Sequence, residues 1–198
     1  MTPTATTWLR AFATAVLTAE PDLTALDQAT GDGDFGANMA GAVRMIQSNL
    51  DTLPPDAADR DVIAVAARVF LDEVGGTSGP LFGLLFQELA AAAADGLTPD
   101  ALATGAAKGL AAIQRVGEAE VGDKTLVDAL SPAVDALRTR PDDLPSAFAA
   151  AASAAESGAE STAGTRARRG RASYVGDHAI GVTDPGAVAV GLLFRAGT

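Results

Sequence analysis

Apolar positions recur along this chain at helical spacing, in alanine-rich segments separated by glycine-rich stretches. Ala, Leu, Glu and Arg favour the helix, and the β-branched alternation of strands is almost absent. The pattern predicts helices over 4–19, 36–50, 57–74, 78–95, 99–117, 124–139, 144–162 and 184–196. Thr98-Pro99-Asp100 reads as a helix start, a capping threonine followed by proline at the first helical position. Pro54-Pro55 and Pro141 mark breaks, and Asp95-Gly96 closes a helix. Trp8 and the phenylalanines at helical spacing are assigned to the core. Eight helices joined mostly by short loops predict an all-α, up-and-down antiparallel bundle or barrel forming a single domain over 1–198. The glycine-rich stretch from Gly158 to Gly186 is too long for a plain connector and is expected to be functional.

Composition narrows the function. A net charge of −11 argues against nucleic-acid binding and against docking on an anionic membrane leaflet. With no cysteine, disulfides, iron–sulfur sites and a cysteine nucleophile are excluded, and a reducing compartment fits. The longest apolar run, Leu81 to Ala94, is broken by Glu88 and is shorter than a membrane span. Residues 8–18 share the apolar character of a signal peptide, but no basic residue precedes them and Arg10 interrupts them. The expectation is a soluble, cytoplasmic chain.

Candidate chemistry concentrates in the glycine-rich stretches. Residues 26–41 read LDQATGDGDFGANMAG, with Asp27, Asp32 and Asp34 within eight residues. In an extended or turning backbone the side chains of Asp32 and Asp34 point the same way. Converging carboxylates repel unless a cation lies between them, and oxygen-only ligands suit Mg²⁺ rather than Zn²⁺. Asn38 stands in the first turn of the following helix, whose N-terminus can meet a phosphate. A dinucleotide fingerprint formally fits Gly31-x-Gly33-x-x-Gly36, but no apolar strand precedes it and two of its variable positions are acidic. An EF-hand fails because its twelfth position is Val43, not Glu. On these residues alone, a metal site and a solvated turn with capping aspartates both stay open.

GGTSGPLFG at 75–83 offers the hydroxyls of Thr77 and Ser78 and an amide nest at a helix start, or a plain helix cap. In GDKTLVDALSP at 122–132, Lys124 either reaches a phosphate or is simply solvated, and neither segment has Walker A spacing. Arg166, Arg168, Arg169 and Arg171 are the one basic cluster, fit for phosphate or purine but equally readable as a solvated or docking loop. Asp184-Pro185-Gly186 turns into the last helix, lining a pocket or capping that helix. His178, the sole histidine, has no triad partners nearby and reads as structural.

GDGDFGANM, GGTSGPLFG, GDKTLVDALSPA and GRASYVGDHAIGVTDPGA, in this order and spacing, resemble the L-type subunit of bacterial dihydroxyacetone kinase. The same unit forms the nucleotide-binding domain of single-chain ATP-dependent dihydroxyacetone kinases. The likeness runs from about residue 5 to the C-terminus. It implies an eight-helix antiparallel barrel with a nucleotide–magnesium site at one end. Two Mg²⁺ ions would be held by Asp27, Asp32 and Asp34 and bridge the phosphates of ADP or ATP. Phe35, Gly36, Ala37, Asn38, Thr77 and Ser78 would meet the phosphates, with Gly122, Ser131, Arg171, Asp184, Pro185 and Gly186 lining the rest. Many relatives carry histidine where Phe35 stands, so that side-chain contact is lost while the backbone amide is kept, and Ser131 replaces a methionine near the base.

The resemblance also implies that the ketose is held covalently by a histidine of a separate K-type subunit, so this chain supplies half an active site and no catalytic residue of its own. In phosphoenolpyruvate-dependent systems an M-type phosphohistidine carrier rephosphorylates ADP in place, and a free-standing chain of this length fits that scheme. An ATP-dependent kinase of another triose or tetrose ketose, and a nucleotide-sensing regulatory module, are the alternatives; a homodimer is compatible with each.

Overall fold

The computed structural model describes residues 3–139 and 141–198; Met1, Thr2 and Arg140 of the expected 1–198 unit lie outside them. The elements are α1 (Ala5–Thr30), α2 (Phe35–Leu50), α3 (Asp59–Asp72), α4 (Ser78–Ala92), α5 (Pro99–Gly117), α6 (Leu126–Leu137), α7 (Leu144–Ser161) and α8 (Pro185–Arg195). Between α7 and α8 a strap carries 3-10 turns at Thr162–Gly164 and Arg171–Ala179, the second kinked at Gly176. No strand occurs among the described residues.

Local chemistry explains most helix starts. Thr98 accepts from the Ala101 amide with Pro99 behind it, and Asp143 accepts from the Ser146 amide. The expected first helix, 4–19, is corrected: α1 continues through Pro21 to Thr30. Proline there removes one backbone bond. Close packing sustains the helix regardless: α2 rests on this turn at Gly36, where a Cβ would lie 2.1 Å from Thr24 Oγ1 and 2.5 Å from the Glu20 carbonyl.

Each helix packs on the next, and α8 returns to α1, closing an antiparallel barrel. The seam is fixed by the Trp8 indole, which donates to the Leu193 carbonyl at 2.8 Å and lies 5.1 Å from Phe148. Inside, Phe70 stacks on Phe82 and on Phe86, both at 5.5 Å. Such pairs add about 0.5–1.5 kcal/mol beyond the burial of their area. Glycines bring helices close: a Cβ on Gly158 of α7 would lie 2.3 Å from the Asp128 carbonyl of α6. Among the described residues no helix is long and apolar enough to cross a membrane. The alternation sets the site: the starts of α2, α4, α6 and α8 share one end of the barrel with the last turns of α1 and α5.

Candidate nucleotide and metal site

Asp27 lies on the last turn of α1, not in a loop, because the helix runs on past Pro21. Spacing of i, i+2 therefore brings together only Asp32 and Asp34; helix extension delivers the third carboxylate. At Gly31 a Cβ would stand 2.3 Å from Asp27 Oδ1 and push that carboxylate aside, and Gly33 takes φ +79° to turn the chain. One oxygen from each of Asp27, Asp32 and Asp34 lies within 4.8 Å of the others. Three carboxylates at this separation need positive charge. Arg171 reaches over from the strap to pair with Asp32. The donor set, oxygen only and partly open to solvent, suits a hard divalent cation such as Mg²⁺.

The four helix starts differ. At α6, Thr125 caps Val127 and Asp128 reaches back to the Thr125 amide at 2.8 Å. At α8, Asp184 Oδ2 accepts from the Ala187 amide at 2.8 Å. At α2 and α4 neither Asp34 nor Thr77 makes a side-chain cap. The partial positive charge at these two starts stays open toward the cavity, as an anion site requires. One expectation changes: the Phe35 amide is not free for a phosphate, since it donates to Asp27 Oδ2 at 3.0 Å.

A cavity of about 240 Å³ opens here. Asp27, Asp32, Asp34, Phe35, Asn38, Thr77, Ser78, Arg171, Asp184, Pro185 and Gly186 all line it. Gly36, Ala37, Gly122 and Ser131 do not: Gly36 is wedged against α1, Ala37 is exposed, and Ser131 is half-buried further along α6. The Gly122 amide donates to Asp128 Oδ1 at 2.6 Å. Reading the sequence missed the apolar wall of Met39, Leu81, Ile113 and Leu126, which suits the flat face of a base. These residues carried only a core-like helical signal.

Lys124 lines the cavity but is not the solvated lysine of the second expectation. It is 2 % exposed, and its ammonium donates to the carbonyls of Thr162, at 2.6 Å, and Val182. Desolvation holds its pKa below the usual lysine value, opposed by the charges of Asp184 and Asp128. Burial pushes the Asp184 carboxyl up to about 7, against the hydrogen bond from the Ala187 amide. The basic cluster is exposed, as a solvated loop would be, yet each member has an acidic neighbour: Arg166 with Asp177, Arg168 and Arg169 with Asp123, and Arg171 with Asp32. His178 is exposed on the strap.

A helical barrel with converging carboxylates at one end is the architecture that the sequence resemblance implies. The chain belongs to the DAK2 domain family, which it matches over residues 29–198. It is 38% identical to the ADP-binding subunit DhaL of PEP-dependent dihydroxyacetone kinase 1 from Listeria innocua, covering 96% of this chain and 91% of that one. The corresponding DhaL of Escherichia coli is 39% identical, covering 92% and 89%. L-erythrulose 1-kinase of Mycolicibacterium smegmatis is 35% identical over 89% of this chain but 32% of its own length. The dihydroxyacetone kinase from C. freundii, solved in complex with AMP-PNP and Mg²⁺, superposes with a TM-score of 0.74 at 31% identity. The alignment covers 96% of this chain, which spans about a third (32%) of that one.

Proposed function

We propose that this chain is the nucleotide-binding, phosphoryl-transfer subunit of a phosphoenolpyruvate-dependent dihydroxyacetone kinase. The observation that carries this reading is the convergence of Asp27, Asp32 and Asp34 beside the uncapped starts of α2 and α4. It is supported by similarity to ADP-binding DhaL subunits over nearly the full length of both chains.

In this reading the three aspartates hold two Mg²⁺ ions, which supply charge neutralisation for the phosphoryl group. Asn38, Thr77 and Ser78 orient phosphate oxygens at the two open helix starts. Arg171 offers a planar guanidinium for a further phosphate contact. Asp184, Pro185 and Gly186 face the nucleotide from α8. A K-type partner subunit presents dihydroxyacetone, and an M-type phosphohistidine carrier rephosphorylates the bound ADP. This chain's work is positioning and electrostatics.

The test is reconstitution with K-type and M-type subunits, phosphoenolpyruvate and its phosphocarrier proteins, scored as dihydroxyacetone phosphate formed. The wild-type chain supports transfer and Asp32→Asn does not. Failure of the purified chain to bind ADP with Mg²⁺ would sink the proposal. Likeness to an L-erythrulose 1-kinase favours a second reading, in which ATP is the direct donor and a tetrose ketose the acceptor. Retention of ADP through gel filtration supports the relay; rapid ADP release with ATP-driven erythrulose phosphorylation supports the second scheme.

A further inference from the structure

The strap between α7 and α8 is nearly a closed loop, and its two feet meet at one side chain. Lys124 Nζ donates to the carbonyls of Thr162 at one foot and Val182 at the other. Around it the Gly181 amide donates to the Ala163 carbonyl at 2.7 Å, and the Asp184 amide to Thr162 Oγ1 at 2.8 Å. The neighbouring Asp123 grips the strap higher up, accepting the Arg168 amide at 3.0 Å and pairing with two strap arginines.

The choice of residue is informative. The chain has fourteen basic side chains, of which only Lys108 and Lys124 are lysines. Lys108 is exposed on α5, whereas Lys124 is buried and held at φ +63°. A compact ammonium with three donors serves two converging carbonyls at once, and a planar guanidinium serves them less well. A positive φ at a non-glycine residue is strained, and is kept where surrounding structure imposes it. The strap held in this way carries Arg171 to the cavity, and its second foot leads directly into Asp184 to Gly186.

We propose that Lys124 is a positioning residue for nucleotide binding: it pins both feet of the strap and so presents Arg171 and the start of α8 to the cavity. The ligand's identity rests on the function proposed above; the clamp itself does not. In Lys124→Met the two carbonyls lose their shared donor. The Gly181 amide then exchanges hydrogen at least about tenfold faster while amides of α1 and α4 keep their rates. Affinity for ADP with Mg²⁺ falls about tenfold, and Lys124→Arg restores part of both.

Unchanged strap exchange and unchanged nucleotide affinity in Lys124→Met would overturn the clamp. Should that variant fail to fold, reductive methylation of the wild-type chain decides. Protection of Lys124 while Lys108 reacts supports the clamp, and equal reactivity overturns it. If the wild-type chain binds no nucleotide, the proposed function fails while exchange at Gly181 still tests the clamp.

Discussion

Four helices begin at one end of the barrel, and they begin in two ways. The starts of α6 and α8 close themselves, through the Thr125–Asp128 capping box and through Asp184. Those of α2 and α4 are left open, and α2 begins at the last of the three clustered aspartates. Unsatisfied helix amides cost stability unless water or a ligand meets them. Open starts therefore belong where a phosphate is to be bound, and closed ones where the chain fixes its own frame. Asp34 shows the difference well: it occupies the N-cap position of α2, yet its carboxylate joins Asp27 and Asp32 instead of capping.

The sharpest way to break this contrast is Asp32→Asn. The side chain caps nothing and its one partner is the exposed Arg171, a pair of the kind worth about 1 kcal/mol or less. Thermal stability should therefore barely move, while phosphoryl transfer in the reconstituted system falls on the order of 100-fold or more. A large loss of Tm with transfer intact would make the cluster structural.

Next comes Gly36→Ala. Apart from the Phe35 amide's bond to Asp27, the start of α2 is held by packing, and the added methyl would press on the Glu20 carbonyl, which cannot rotate away as the Thr24 hydroxyl can. The expected cost is roughly 1–3 kcal/mol, read as a Tm lower by several degrees. Nucleotide affinity should fall with it, because Asp34 and Asn38 move with the helix.

Much of this frame is legible in the sequence. Helix number follows from alanine-rich periodicity, and Thr98-Pro99 marks its helix start because capping is local chemistry. The acidic loop announces itself by composition. What is hidden depends on long-range contact. Helix α1 outlasts Pro21 only because α2 packs against that turn, which in turn places Asp27. Lys124 looks like any loop lysine until carbonyls 38 and 58 residues further on meet its ammonium. The open and closed helix starts look alike as strings, since Asp34 and Asp184 are both aspartates ahead of a helix. Only the fold decides which carboxylate turns back to its own helix and which turns to its neighbours.

Paired substitutions sharpen the contrast further. Thr125→Ala removes a cap and should cost about 1 kcal/mol of stability. Thr77→Ala removes a hydroxyl that caps nothing and should cost less than about 0.5 kcal/mol. For nucleotide affinity the order reverses, with Thr77→Ala about fivefold weaker and Thr125→Ala near wild type. Equal stability losses in the two variants would show that α4 is capped after all.

The smallest effect tests how the closed start of α8 is maintained. The Asp184 carboxyl has a pKa near 7 because burial disfavours its charge, so the folded chain keeps a proton that the unfolded chain loses near 3.8. Its contribution to stability is thus fully present below 3.8 and is lost as pH rises through about 7. Asp184→Asn keeps an acceptor for the Ala187 amide and cannot ionise. The stability of the variant relative to wild type should therefore rise between pH 4 and pH 8. Because Asp184 is only half-buried as a residue, the expected rise is about 1 kcal/mol. Chemical denaturation of both proteins across the range provides the check. A constant difference would mean that Asp184 is ionised throughout, with the Lys124 ammonium outweighing its burial.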